Sequence, residues 1–87
     1  MTRSIVIENG SQKRQLVWVE PEAQDYWLQP GETVELRADV ETADANFEFR
    51  ITDNGFTVFP SEGMSYISAH SGGVELQCGY QRPAGWA

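Results

Sequence analysis

The 87-residue chain carries 13 acidic and 6 basic side chains, a net charge of -7. That balance disfavours direct binding to nucleic acid, where affinity comes from Lys and Arg set against phosphate, and to an anionic membrane surface, which makes the same demand. An acidic chain instead stays soluble and steers basic partners toward itself. The length allows one domain. With 40% apolar residues the chain is too hydrophobic for a disordered tail, though so small a fold buries only about two thirds of the surface its unfolded chain exposes.

Cys78 is the sole cysteine, so no intramolecular disulfide can form, whereas small secreted domains are commonly stapled by them. The opening residues, Met1 to Ile5, run straight into a strand-like stretch without the apolar core of a signal peptide. No apolar run approaches the ~20 residues of a membrane span. These features predict a cytoplasmic protein.

The pattern along the chain has a period of two. Residues 4–8 read as the first strand, and Asn9-Gly10 follows as a hairpin signal, Gly10 supplying the positive φ of a tight turn, with the polar Ser11-Gln12-Lys13 carrying the loop on to Lys13. A second strand is expected at 14–20, then Pro21 to Gln24 as a connection, then a short aromatic strand at 25–28. Pro30-Gly31 is a type II turn signature. Residues 33–39 alternate with Val34, Leu36 and Ala38 inward. After a polar loop, residues 46–52 place Phe47, Phe49 and Ile51 on one face and Glu48 and Arg50 on the other. Asp53-Asn54-Gly55 turns the chain into a strand at 56–59. Strands at 65–69 and 74–78 flank Ser71-Gly72-Gly73, the last with Val74, Leu76 and Cys78 inward. Such alternation is the mark of half-buried antiparallel strands. About eight short strands at this spacing predict an all-β fold, a small antiparallel β-sandwich of immunoglobulin-like or cupredoxin-like type. The expected domain covers residues 1–79, with 80–87 as a loosely ordered tail.

Candidate chemistry is sparse. Met64, His70 and Cys78 are side-chain types found in blue-copper centres, but such a centre needs two His and this chain has one. The order of the three is also reversed, so Cys78 reads as a small core residue. His70 stands near Ser68 and Ser71, but neighbouring strand residues point to opposite faces, and beside Gly72-Gly73 it reads as a solvated turn residue. Asp53-Asn54 could offer oxygens to Ca²⁺, yet the dipeptide Asn-Gly is what a hairpin uses. Asn9-Gly10-Ser11 matches a glycosylation sequon and reads as a turn. No catalytic residues, no metal ligands and no cofactor are expected.

Charge and aromatics say more. Ten acidic residues and only two basic ones, Arg37 and Arg50, fall between Glu20 and Asp53. Outward positions Glu35, Asp39 and Glu48 read either as a solvated face with cross-strand ion pairs, worth ~0.2–1 kcal/mol each, or as an acidic docking surface. In Asp25-Tyr26-Trp27-Leu28 one aromatic faces the core and its neighbour faces away. An outward Trp27 is either a binding platform, as Trp often is at interfaces, or a ring covered by a loop or by the tail with Trp86.

Val19-Glu20-Pro21, the run from Tyr26 through Pro30-Gly31-Glu32 to Leu36, and Asp53-Asn54-Gly55-Phe56-Thr57-Val58 together span about half the chain. They resemble a family of small, functionally uncharacterised bacterial proteins with a Glu-Pro, an aromatic strand, a Pro-Gly-Glu turn and an alternating strand. The resemblance implies a β-sandwich and a bacterial or phage source, and carries no activity.

The expectation is therefore a non-enzymatic protein-interaction domain, of the kind an immunity or inhibitor protein provides, meeting a basic protein through Glu35, Asp39 and Glu48, with Trp27 as a further candidate on that surface. The alternative is a small-ligand or carbohydrate-binding module using Tyr26 and Trp27. An edge strand such as 25–28 could also pair with a second copy in a homodimer.

Overall fold

Each expected strand forms. The computed structural model describes residues 1–86; residue 87, the last of the expected tail, lies outside the described residues. The strands are β1 (Thr2–Glu8), β2 (Gln15–Val19), β3 (Gln24–Leu28), β4 (Thr33–Val40), β5 (Phe47–Thr52), β6 (Gly55–Pro60), β7 (Met64–Ser71) and β8 (Val74–Leu76). They make two four-stranded sheets, sheet 1 in the order β1-β4-β7-β8 and sheet 2 in the order β3-β2-β6-β5. The two sheets pack into a small all-β sandwich. No helix among the described residues is long and apolar enough to cross a membrane.

The core lies between the sheets. Val34, Leu36 and Ala38 of β4 meet Val17 and Val19 of β2, Tyr26 and Leu28 of β3, and Val58 of β6. Each large side chain buried this way contributes about 1.5–3 kcal/mol of hydrophobic free energy. β4 follows its sequence pattern closely, with Val34, Leu36, Ala38 and Val40 buried and Thr33, Arg37 and Asp39 exposed.

Turn chemistry holds at three corners. Gly31 takes φ +83°, as the second central position of a type II turn requires, where the chain crosses from β3 to β4. Thr52 pairs with Gly55 across Asp53-Asn54, and Ser71 pairs with Val74 across Gly72-Gly73.

At Asn9-Gly10 the expectation of a tight hairpin fails. β1 pairs with β4 and β2 pairs with β3, so the loop between β1 and β2 crosses from one sheet to the other. Gly10 is not among the positive-φ glycines. Asn9 itself is buried and pins this crossing, its Nδ2 donating to Lys13 O at 2.9 Å and Leu28 O at 2.8 Å.

The sheets are also not wholly antiparallel, because β2 and β6 run parallel, from Leu16 beside Gly55 to Val19 beside Val58. The chain leaves sheet 2 after β3, returns at its far edge as β5, and turns back as β6 beside β2. Gly55 sits where two backbones meet: a Cβ there would lie 2.6 Å from Leu16 N and 2.8 Å from Leu16 C.

Two inward assignments are corrected. On β5 only Phe47 is buried; Phe49 is 47% and Ile51 90% exposed. Their side of the strand is the inner one, but β5 is the edge of sheet 2 and runs past the cover that sheet 1 provides. β8 ends at Leu76, and Val74 and Cys78 are exposed, so Cys78 is not a core residue.

The stretch after β8 is docked rather than loose. Gly79 N donates to Asp25 O at 2.7 Å, Trp27 N donates to Tyr80 O at 2.9 Å, and Gln81 Nε2 donates to Trp27 O at 2.8 Å. The tail thus covers the edge of β3 through one isolated bridge, Tyr80 set in parallel beside Tyr26.

Candidate functional site

The outer face of sheet 1 is built by β4 and its neighbours. Alternation turns Glu35, Arg37 and Asp39 outward. Register sets Val6 of β1 beside Glu35 on one side and His70 of β7 on the other, with Glu75 of β8 beyond His70. The result is a row across the sheet: Val6, Glu35, His70, Glu75. The next row is Ser4, Arg37 and Ser68. Val6 is 65% exposed on this polar surface.

Glu35 is tied to Arg37, whose Nε and Nη2 both donate to its Oε1, at 2.9 and 2.7 Å. That hydrogen bonding holds the Glu35 carboxyl below the ordinary carboxylate range. The described residues contain two ion pairs, Arg37–Glu35 and Arg82–Asp25. Glu8, Asp39 and Glu75, which share the outward phase of this face, are in neither. The face therefore carries four carboxylates against one guanidinium.

Near one end of the face β7 is irregular. Its register with β4 slips between Arg37 and Asp39, because β7 fits one extra residue into the ladder. Tyr66 takes φ +55° there and is 83% exposed. A non-glycine residue held at positive φ in a bulge is a costly arrangement that re-aims a side chain. Here it brings a tyrosine ring to the rim of a cleft of about 590 Å³ lined by Pro21, Glu22, Pro60, Met64 and Ile67.

Ser68 and His70 also correct a sequence expectation. They stand two apart on β7, share a face, and bond at 2.7 Å between Oγ and Nε2. His70 is thus a strand residue, not a turn residue. A nucleophile pair of this kind also needs a group that orients the imidazole. Among the described residues no carboxylate hydrogen-bonds the His70 ring: of its two cross-strand neighbours, Glu35 is engaged by Arg37 and Glu75 makes no hydrogen bond to it. No group of three or more His, Cys, Asp or Glu among the described residues is placed to hold a metal ion.

The outer face of sheet 2 is different. Asp25, buried on β3, accepts from Arg82 Nε and Nη2 at 2.8 and 2.7 Å, from Trp27 Nε1 at 2.9 Å and from Cys78 Sγ at 3.4 Å. The Arg82 hydrogen bonds, acting against the cost of burial and aided by Trp27 and Cys78, hold its pKa at about 2. Trp86 packs edge-on against Trp27 with ring centroids 4.9 Å apart. Glu48 stands two residues from Arg50, which lies 5.3 Å over the Phe59 ring.

The five residues singled out in the sequence are therefore dispersed. Glu35 and Asp39 share the sheet 1 face. Glu48 lies on the opposite sheet, and its distance from them could not be read from a strand pattern. Tyr26 and Trp27 are 3% and 6% exposed: Tyr26 points into the core, where burial pushes its phenol up to about 12, and Trp27 points outward but under the tail. Neither offers a ring to a ligand. A second, more apolar cavity, of about 240 Å³ and lined by Ile7, Leu28, Ile51 and Phe56, is below the ~300–1,000 Å³ usual for ligand sites. Val6 and Glu75 join the face through cross-strand register, while the bulge sets Tyr66 at the cleft beside it.

No protein-family model matches the chain, and neither a curated protein nor a solved structure matches it.

Proposed function

We propose that this chain is a non-enzymatic protein-interaction domain that meets a basic partner through the outer face of sheet 1. The observation that carries this reading is the charge asymmetry between the two faces. The outer face of sheet 2 is balanced in charge: Asp25 is paired with Arg82, and Glu48, in no ion pair among the described residues, shares its strand face with the cation Arg50. Sheet 1 leaves Glu8, Asp39 and Glu75 without an ion pair, around the exposed Val6 and close to the exposed Tyr66. Uncompensated charge raises the encounter rate with an oppositely charged partner and suppresses wrong partners, and exposed apolar side chains within it give the contact something to desolvate. The net charge of -7 fits the same reading. The setting that goes with it is the bacterial or phage cytoplasm, where an immunity or inhibitor protein is the class such an acidic domain serves. The carbohydrate or small-ligand alternative needs Tyr26 and Trp27 in solvent, and both are buried.

The test compares tagged wild type with Asp39→Lys and Glu75→Lys, and with Glu48→Lys as the control on the opposite sheet, in capture from lysate at low and high salt. A basic protein retained by wild type and by the control, weakened by both sheet 1 reversals and released by salt, supports the reading. Retention that ignores salt, or that Glu48→Lys alone removes, overturns it.

A further inference from the structure

The two edges of sheet 2 are treated differently: the tail covers β3, and nothing among the described residues covers β5. An edge strand exposes unpaired N–H and C=O groups and templates pairing with another strand. Which of these groups on β5 are free follows from the ladder. Bonded and non-bonded pairs alternate in an antiparallel pair. Val58 O is already taken by Glu20 N at 2.9 Å, so Phe49, opposite Val58, belongs to a non-bonded pair. The same parity places Phe47 opposite Pro60, which has no N–H to give. Phe47, Phe49 and Ile51 therefore aim their backbone groups away from β6; Phe47 N already donates to Asn46 Oδ1 at 3.0 Å, and the groups of Phe49 and Ile51 are left open.

We infer that β5 pairs with β5 of a second copy of this chain, antiparallel and centred on Phe49. A strand paired with itself about Phe49 sets Phe49 against Phe49 of the other copy, Phe47 against Ile51, and Glu48 against Arg50 twice over. The centre is fixed by charge. Backbone parity lets the axis pass through Phe47, Phe49 or Ile51 as a bonded pair or through Glu48 or Arg50 as a non-bonded pair, and of these only Phe49 brings opposite charges together at both flanking positions. Centring on Glu48 or Arg50 would set like charges face to face. The same register covers Phe49 and Ile51, the large apolar side chains that β5 leaves in solvent.

The other edges lack this match. β1 offers one cation, Arg3, committed to Ala43 O, β8 has three residues, and β3 is occupied by the tail. A two-fold axis through the Phe49 pair runs perpendicular to the sheet. It joins two four-stranded sheets edge to edge and leaves both sheet 1 outer faces pointing the same way. The inference stands independently of what those faces bind.

The test is sedimentation equilibrium from micromolar to millimolar protein, on wild type, Glu48→Arg and Arg50→Glu, each checked for a native circular dichroism spectrum. Wild type should dimerise. Each single reversal should weaken self-association by about tenfold, since two attractive cross-strand pairs become repulsive. An equimolar mixture of the two variants should recover it, because the reversed strands complement one another. Amide exchange on wild type gives a reading that needs no variant: Phe49 and Ile51 amides should slow as concentration rises. A wild type that stays monomeric to millimolar concentration, a dimer indifferent to both reversals, or a mixture that fails to recover overturns the inference.

Discussion

Sheet 2 has one closed edge and one open edge, and the difference lies in what each edge does with charge. At β3 the chain's own tail comes back over the edge, held by a buried carboxylate that takes four hydrogen bonds from Arg82, Trp27 and Cys78 and by the Trp27–Trp86 contact. At β5 the carboxylate and guanidinium, Glu48 and Arg50, stand in solvent, and so do Phe49 and Ile51. The closed edge puts its charge pair into stability. The open edge leaves its two charges, Glu48 and Arg50, in solvent and in no ion pair among the described residues, and the inferred self-pairing would use them.

Breaking the seam that joins the two edges should have the largest effect. β2 and β6 meet at the parallel pair, and Gly55→Ala would drive a methyl group into the backbone of Leu16. Backbone cannot move aside as a side chain can. A loss of about 4 kcal/mol or more is expected, read as a collapsed or absent urea transition, and both edges should be lost together.

Arg82→Ala breaks the closed edge alone. It leaves the Asp25 carboxylate, 3% exposed, without its cation, and removing one partner of a buried pair costs about 3 kcal/mol. Trp27 and Trp86 should move into water, so tryptophan emission should shift to the red. Arg50→Ala, the matching change at the open edge, should leave stability within about 0.5 kcal/mol.

Acid sharpens the same contrast. Asp25 has a folded pKa of about 2 against an ordinary 3.8. A depressed carboxyl pKa stabilises the fold above the ordinary value and gives up that contribution as pH falls through the window to the folded one. The pair should therefore lose about 2 kcal/mol of stability across that interval, measured by urea melts at stepped pH. In Arg82→Ala that Asp25-linked loss should vanish, because a buried unpaired carboxyl prefers its neutral form.

The strands were legible in the sequence because alternation and turn residues are local. Thr33 to Asp39 and the Asp53-Asn54-Gly55 turn needed nothing beyond their own neighbours. Alternation states which side of a strand is apolar and not whether another sheet reaches over it, so Phe49, Ile51 and Val74 were read as core. The Asn9-Gly10 loop carries hairpin residues, yet its flanking strands belong to different sheets, a decision made by long-range pairing. The candidate face was half legible: Glu35 and Asp39 lie on one strand, but Glu75 and Val6 join them only through register, and Glu48 proves to be on the other sheet. The Ser68–His70 pair was within reach, since residues two apart on a strand share a face.

The smallest expected effect separates an inner-facing residue that is covered from one that is not. Leu28 and Ile51 both lie on the inner side of edge strands of sheet 2, at 1% and 90% exposure. Leu28→Ala removes packed atoms beneath the tail-covered edge and should cost about 2–5 kcal/mol. Ile51→Ala removes atoms that touch mainly water, so at micromolar protein it should cost no more than about 0.5 kcal/mol. If Ile51→Ala proved as costly as Leu28→Ala at low concentration, the β5 edge would already be covered within one chain and the contrast between the two edges would fall. If its cost grew with protein concentration, Ile51 would be buried by a second copy, since only association makes stability depend on concentration.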